Sequence, residues 1–220
     1  MRTHSLSEPM GVATARIPFE APRTFNAPLF HSLVAGLGED RRWVILDLGS
    51  ARPQTVSLLS RFRCRLDIVD LADSLEDSEG TVNLADPANG LGCVRNTEPA
   101  DIVFCWDFLN YLAPGQITAL MGRVAARCRP GALVHALIAY SHRSMAQWPG
   151  QFAPIDEAQQ LLNLSPGVAE RIAPRYSPEE LGQWMPGFSI ERARLLANGM
   201  QEYLFRLRQL GESPEAAHGG

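Results

Sequence analysis

The chain has 220 residues, of which 45% are hydrophobic and 20% are charged, a composition that excludes a disordered protein and fits one globular domain. We expect no membrane span, because no apolar run approaches the roughly 18 residues needed, and no secretory leader. The net charge of −4 does not favour a nucleic acid partner, and all 20 basic residues are arginine, which excludes lysine-dependent covalent chemistry.

Apolar periodicity and turn residues divide the first two thirds of the chain into alternating helices and strands. Residues 1–22 contain three prolines and little periodicity, which predicts a flexible arm. In chain order the pattern then predicts a helix at 25–37, a strand at 43–48, a helix at 55–62, strands at 64–69, 81–84 and 101–106, a helix at 117–128 and a strand at 132–140. This alternation predicts an α/β fold with a doubly wound, mostly parallel sheet.

Residues 141–176 differ in character from the segments before them. They are rich in glutamine, proline and histidine, and we predict that they form an inserted cover over the sheet edge, here called the cover segment. A short helix is expected within it at residues 155–164. Residues 177–180 read Ser-Pro-Glu-Glu, which is typical of a helix start because serine caps, proline fits the first turn and acids favour the positive helix end.

The end of the chain predicts a hairpin. Strand-like runs at residues 188–196 and 201–208 are joined by Asn198 and Gly199, a strong signal for a tight turn. Residues 211–220 are expected to form a disordered tail. Residues 23–210 are therefore expected to form a single domain.

The cysteines indicate a compartment rather than a metal site. They are not at zinc-ligand spacing, and we interpret them as buried free thiols. Free thiols are typical of a reducing environment, which predicts a cytoplasmic protein. The four residues are Cys64, Cys93, Cys105 and Cys128.

The most informative motif lies where the strand at residues 43–48 ends. An apolar run stops at Asp47, and Gly49 and Ser50 follow before the next helical pattern. This is typical of the first strand-to-loop turn of an open α/β sheet, and such sheets bind ligands at the carboxyl ends of their strands. The motif therefore predicts a cofactor site at this turn.

Five motifs in this order resemble the class I S-adenosylmethionine (SAM)-dependent methyltransferases. They are Val-Ile-Leu-Asp-Leu-Gly-Ser at 44–50, the acid at 70, Leu-Ala-Asp-Pro at 84–87, Asp-Ile-Val-Phe-Cys-Trp-Asp-Phe-Leu-Asn-Tyr-Leu at 101–112 and Arg-Pro-Gly-Ala-Leu at 129–133. The resemblance covers residues 25–208. It implies a Rossmann-like sheet of seven strands, with residues 201–208 inserted antiparallel beside the fifth. It also implies SAM as the cofactor, a methyl acceptor that is a small molecule or a protein, and a transferase activity.

The resemblance implies cofactor contacts at the first turn. The loop of Gly49 and Ser50 would approach the methionine part of SAM, because glycine permits close backbone approach. Asp47 would lie near the methionine ammonium, or it would serve a structural role by orienting the loop. The family has further glycines where this chain has Ala51 and Pro53, and the proline predicts an extended residue before it.

The resemblance also implies cofactor contacts on the next two strands. Asp70, next to Leu71, would accept both ribose hydroxyls, since a carboxylate is an acceptor that takes two hydrogen bonds. Asp67 and Asp73 are the alternatives for this role. Asp86 would accept from the adenine amine, or it is a plain turn residue before a proline.

The remaining candidates lie at the ends of the fourth and fifth strands. The family places residues that touch the cofactor's reactive end where Trp106 and Asp107 stand, although a tryptophan at such a position is more often a core residue. Phe108, Asn110 and Tyr111 follow and could face the acceptor, Tyr111 as a weak catalytic candidate or as packing. His142 lies on the ligand side of the sheet, where it would be a general base or simply exposed.

Two other functions compete with methyl transfer. The missing glycines at residues 51 and 53 are compatible with a methyltransferase-like protein that is catalytically inactive and acts as a binding or scaffold protein. A nicotinamide-dependent oxidoreductase would need a G-x-G-x-x-G turn, and residues 49–54 do not contain one.

Overall fold

The structure is a computed structural model that describes residues 23–71, 98–164 and 170–209. Three predicted features lie outside these residues: the arm at 1–22, the weak strand at 81–84 and the tail at 211–220. In chain order, the elements are β1 (Arg23–Asn26), α1 (Pro28–Ala35), β2 (Trp43–Asp47), α2 (Pro53–Leu59), β3 (Cys64–Ile68), β4 (Ala100–Trp106), α3 (Pro114–Arg127), β5 (Cys128–Ala139), β6 (Ser144–Ala146), β7 (Phe152–Ile155), β8 (Gln160–Asn163), β9 (Glu170–Ile172), α4 (Pro178–Trp184), β10 (Phe188–Leu195) and β11 (Met200–Leu207).

The largest sheet orders its six described strands as β10-β11-β5-β4-β2-β3. β3, β2, β4 and β5 are parallel, which confirms the α/β fold with a mostly parallel sheet. β11 lies antiparallel beside β5, and β10 lies antiparallel beside β11. Gly199 in the turn between β10 and β11 has a φ of +81°, which favours glycine.

Helices cover the sheet on both of its faces. Alternate residues of β2 belong to two separate apolar clusters, so the two clusters lie on opposite faces of the sheet. Leu120 of α3 and Leu181 of α4 are buried in one cluster. Phe30 of α1 and Leu59 of α2 are buried in the other. β4 is buried along its whole length between them.

The short helix predicted at residues 155–164 is wrong. β7 and β8 occupy this region as an antiparallel pair, and β8 also pairs with β1. The residues Asp156–Ala158 between them all have positive φ, which a right-handed helix cannot contain. The helix predicted at residues 25–37 begins only at Pro28, because the residues before it form β1.

A buried carboxylate from β11 holds the start of α1. The two oxygens of Glu202 accept hydrogen bonds from the amides of Leu29 at 2.9 Å and Phe30 at 2.7 Å. His135 Nε2 lies 3.0 Å from the same carboxylate, and both side chains are fully buried. The first amides of a helix lack hydrogen-bond partners within the helix. The methyl side chain of Ala27 at the N-cap cannot accept a hydrogen bond from them. Glu202 therefore supplies a cap from a distant strand.

The helix start predicted at residues 177–180 is confirmed. The Ser177 hydroxyl accepts from the Glu180 amide at 3.2 Å, and the Glu180 carboxylate accepts from the Ser177 amide at 2.8 Å. This reciprocal pair satisfies two amides at the start of α4. None of the helices in the described part of the chain is long and apolar enough to cross a membrane.

Candidate functional site

The carboxyl ends of β2, β3 and β4 meet at one edge of the sheet. Asp47 at the end of β2 is in register with Ile68 of β3 and Phe104 of β4. The chain stays paired beyond the strands, because the Val69 amide donates to the Asp47 carbonyl at 2.8 Å and the Leu71 amide donates to the Leu48 carbonyl at 3.2 Å. The loops that follow β2 and β3 therefore lie side by side, as the motif predicted.

The Asp47 side chain holds the Gly49 loop in place. Its side chain is buried, and Oδ1 accepts from the Gly49 amide at 2.9 Å and from the indole N–H of Trp106 at 2.7 Å. Burial raises the pKa of Asp47 to about 7, the two hydrogen bonds lower it in part, and the nearby charge of Asp70 raises it again. This geometry fits the loop-orienting role more closely than a direct contact with a ligand.

The indole of Trp106 occupies the space beside Gly49. A Cβ on Gly49 would lie 2.5 Å from Trp106 Cδ1 and 2.8 Å from its Nε1, so only glycine fits here. Trp106 stacks on Phe152 of the cover segment, with ring centroids 5.9 Å apart, and it also touches Phe30. Its φ is +50°, which is unusual for a large side chain. Trp106 is thus a core residue that also closes over the first turn.

Asp70 follows β3 and lies beside the same loop. The Ser50 hydroxyl donates to Asp70 Oδ1 at 3.2 Å, and the Asp70 side chain is partly exposed. Leu71 next to it is buried. The alternative acid, Asp67, is engaged by the Arg65 guanidinium at 2.8 Å. The structure therefore brings Asp47, the glycine loop and Asp70 together, while residues 73 and 86 lie outside the described residues.

Pro53 makes the residue before it extended, as the sequence predicted for the loop after β2. It occupies the first turn of α2, and Arg52 before it is extended, with φ −117° and ψ 130°. The Arg52 side chain is partly buried, and its Nε is buried without a hydrogen-bond partner among the described residues. A buried guanidinium N–H without a partner is costly, but an anionic group reaches this Nε only after the side chain moves to expose it.

The end of β4 is attached to the cover segment through Asp107, a link that the sequence did not reveal. Both Asp107 oxygens lie 2.9 Å from the Gly150 amide. Burial raises the pKa of Asp107 to about 7, and the hydrogen bond from Gly150 lowers it in part. A Cβ on Gly150 would lie 2.4 Å from the Phe152 ring, so glycine is required at this close approach.

Tyr111 makes a second attachment to the cover segment. Its hydroxyl lies 2.7 Å from the Trp148 carbonyl and 3.1 Å from the Ala146 carbonyl, and burial raises the pKa of the phenol well above its ordinary value. Phe108 and Asn110 are buried, so their side chains do not line an open acceptor site. The Asn110 side chain instead donates to the carbonyl of Asp107 just after β4 and to that of Leu137 in β5, and it accepts from the Ala139 amide of β5.

His142 is exposed and lies over the β10–β11 turn. A Cβ on Gly199 would come within 2.9 Å of the His142 ring. The structure thus places this histidine against a hairpin turn rather than in contact with Asp47 or Asp70.

Comparison with solved structures shows the class of the fold. No family model and no curated protein sequence matches the chain. It superposes on a Sulfolobus solfataricus protein described as a candidate type 11 methyltransferase with a TM-score of 0.51, at 12% identity over 88% of this chain and 99% of that one. A SAM-dependent methyltransferase from Clostridium acetobutylicum gives a TM-score of 0.50, at 12% identity over 82% and 91%. The chain therefore has the fold of the class I SAM-dependent methyltransferases.

Proposed function

We propose that the chain is a methyltransferase that binds SAM at the carboxyl ends of β2 and β3. The observation that carries the proposal is the partly exposed Asp70 carboxylate, which the Ser50 hydroxyl holds beside the Gly49 loop. In this fold, an acid at that position suits a ribose, because it accepts hydrogen bonds from two neighbouring hydroxyls.

The positive charge of Arg52 favours a ligand with a negatively charged group at this end of the site. The Arg52 Nε has no hydrogen-bond partner among the described residues, and after a side-chain movement that exposes it the guanidinium would pair with the carboxylate of SAM. The positive sulfonium must lie away from this guanidinium, because like charges repel strongly at short distance. The ligand would therefore lie with its carboxylate toward Arg52 and its ribose toward Asp70.

The chemistry asks little of the side chains. The sulfonium supplies an activated methyl group, so the chain needs to align the acceptor and exclude water. Tyr111 is a poor general base at neutral pH, because its pKa is raised and its hydroxyl already faces two carbonyls. We therefore propose that the acceptor, a small molecule or a protein side chain, provides its own nucleophile next to the cover segment.

A second candidate function is a catalytically inactive binding protein. The specific observation in its favour is the Trp106 indole, which fills the close-approach space at Gly49 and donates to Asp47. If the indole stays beside Gly49, the methionine part of a cofactor has no room at the Gly49 loop.

Titration calorimetry with S-adenosylhomocysteine (SAH) tests the first proposal. Asp70→Asn should weaken SAH binding roughly 5- to 150-fold, the loss of about 1–3 kcal/mol expected for charge-assisted hydrogen bonds. Asp67→Asn is the matched control, because it removes the same charge from the rival acid, and it should leave the affinity within about twofold. An unchanged affinity in Asp70→Asn would remove the ribose assignment.

The same titration separates the two functions. If the wild-type chain gives no heat with millimolar SAH or SAM, the binding-protein function is favoured. Trp106→Leu then tells whether the indole is the obstacle, since smaller leucine would open the space. Transfer of a labelled methyl group from SAM to a fraction of a cell extract, lost in Asp70→Asn, would complete the case for catalysis.

A further inference from the structure

A second cleft lies at the opposite end of the parallel strands. It has a volume of about 330 Å³, which is within the size range of small-molecule sites. Its walls come from α1, from the amino-terminal ends of β2 and β4, from the start of β5 and from β10 and β11. Asp101 near the start of β4 lines it, whereas Trp106 at the end of β4 closes the Gly49 loop. The cleft is therefore distinct from the proposed cofactor site.

The lining of this cleft carries more positive than negative charge. Its charged residues are Arg41, Arg129, Arg192 and Arg206 with Asp101 and Glu191. Four arginines against two acids leave an excess of two positive charges, in a chain whose net charge is −4. An arginine-lined concavity on an acidic protein attracts anions locally.

A single buried acid fixes two of these arginines. Asp101 Oδ1 accepts from Arg41 Nη1 at 2.9 Å and lies 2.9 Å from Arg129 Nε. Oδ2 accepts from the Val44 amide at 2.8 Å. One carboxylate neutralises only one of the two guanidiniums, so one positive charge remains. The acid also holds both arginines in place, which lowers the entropy cost of capturing a ligand.

Two arginines keep donors for a ligand. Arg41 donates one of its five N–H groups to Asp101. Its guanidinium lies 3.6 Å from the centroid of the Trp43 ring. Arg192 makes one long hydrogen bond, 3.5 Å, to the Ser32 hydroxyl. Arg206 differs, because Glu191 engages it through two nitrogens.

We propose that this cleft binds a small organic molecule that carries a phosphate group. Arginines from three separate parts of the fold line the same space, namely Arg41 from the loop before β2, Arg129 from β5 and Arg192 from β10, and a tetrahedral phosphate presents oxygens in several directions at once. A planar carboxylate presents only two oxygens. Leu33 and Leu204 add apolar surface to the lining, which suits the carbon skeleton of a phosphate ester.

Binding of inorganic pyrophosphate, at about 150 mM salt to screen diffuse attraction, tests the proposal. Calorimetry should give saturable binding, and the fluorescence of Trp43 should change when the stacked Arg41 engages the anion. Arg192→Ala should weaken binding at least about tenfold, the loss of about 1.4 kcal/mol for one charge-assisted contact. Among the described residues, Arg192 is held by a long hydrogen bond to Ser32, so the fold should survive its removal.

Arg194→Ala is the matched control. It removes the same charge from the same strand, but Arg194 does not line the cleft, so the affinity should stay within about twofold. Arg41→Gln is a second test variant, and its folding is checked by thermal denaturation because Arg41 also pairs with Asp101. Trp43→Phe should remove the fluorescence change and leave the calorimetric signal.

Three results would overturn the proposal. The first is the absence of saturable binding of pyrophosphate by the wild-type chain at about 10 mM, far above the range of specific sites. The second is an equal loss of affinity in Arg194→Ala and Arg192→Ala, which would reveal diffuse electrostatic attraction. The third is malonate binding as tightly as pyrophosphate, which would exclude a phosphate-selective site. None of these measurements depends on SAM binding.

Discussion

Gly49→Ala should destabilise the fold because of the tryptophan beside it. The added Cβ would lie 2.5 Å from Trp106 Cδ1, where carbon atoms normally stay about 3.5–4.0 Å apart. The Gly49 backbone is outside the left-handed region, so alanine suffers no conformational strain of its own. Most of the penalty must therefore come from displacing the indole, since the other close atom, Asp47 Oδ1 at 3.3 Å, has to move by only a few tenths of an ångström.

The size of this penalty follows from how Trp106 is held. Its ring packs against Phe30, Phe104 and Phe152, so moving it overpacks the core at a cost of about 1–3 kcal/mol. If the indole N–H leaves Asp47, a further 1–3 kcal/mol or so is lost as an unmade buried hydrogen bond. Alanine also lowers the conformational entropy of the unfolded chain, which stabilises the fold by about 0.4–1 kcal/mol. The central values of these contributions give a net loss of about 3 kcal/mol, and the expected range around it is roughly 2–4 kcal/mol.

Urea denaturation of a double-mutant cycle isolates the contact. Gly49→Ala is measured in the wild-type chain and again in Trp106→Leu, whose smaller side chain leaves room for the methyl group. The cost in the leucine background should fall close to zero, giving a coupling energy of about 2–4 kcal/mol. The wild-type cost corresponds to a Tm lowered by roughly 4–16 °C for a chain of this size.

Gly115→Ala is the control for adding a methyl group. Within the described part of the chain, a Cβ on Gly115 would meet no atom within 4 Å apart from its chain neighbours and the backbone of its own helix, so this substitution should be neutral or mildly stabilising. The reasoning is refuted if Gly49→Ala costs the same with tryptophan or leucine at residue 106, since the glycine would then be required for another reason.

Three further predictions concern buried polar groups. The free energy of unfolding should fall as pH rises from about 4 to about 7, by up to roughly 1.4 kcal/mol per pH unit for each acid, because folded Asp47 and Asp107 still hold protons that the unfolded chain has lost. Asp107→Asn should flatten this slope in pH-dependent urea titrations. Glu202→Ala should cost about 2–5 kcal/mol in urea denaturation, since it leaves two helix amides and a histidine without their partner. Tyr111→Phe should accelerate hydrogen exchange at residues 146–150 roughly 3- to 10-fold, because it removes a bond of about 1 kcal/mol to the cover segment.

Each of these predictions has a contrasting variant or a contradicting result. Glu39→Gln changes an exposed acid and should leave stability within about 0.5 kcal/mol, unlike Glu202→Ala. Tyr140→Phe changes an exposed tyrosine and should leave exchange at the cover segment unaltered. An increase in stability between pH 4 and 7 would contradict the raised pKa values of the two aspartates.

The sequence predicted the parts of the fold that depend on local patterns. β4 was recognised because its residues are almost all apolar, as expected of a strand buried on both faces. The start of α4 was recognised because Ser177 and Glu180 cap it through neighbouring residues. The extended Arg52 was predicted because the ring of Pro53 restricts the residue before it, although α2 begins at Pro53 itself, two residues before the predicted start.

The features that the sequence did not reveal depend on contacts between distant residues. Residues 155–164 form strands because β8 pairs with β1, more than 130 positions earlier in the chain. Glu202 caps α1 across 173 positions, and no local pattern marks it as a helix cap. Asp107 accepts from the Gly150 amide, 43 positions later in the chain, and no local pattern links these two residues.

If the Trp106 indole can move away from Gly49, its position weakens cofactor binding and does not abolish it. If opening the indole costs about 2–3 kcal/mol, only about 0.6–3% of molecules are open, and the apparent affinity falls roughly 30- to 150-fold. A site with micromolar intrinsic affinity would then bind SAH with a Kd of roughly 30–150 µM, which calorimetry measures easily. Trp106→Leu should recover that factor if the indole acts as a gate. If SAH binds neither the wild-type chain nor a folded Trp106→Leu variant, the obstacle lies elsewhere in the loop, and the binding-protein function gains its strongest support.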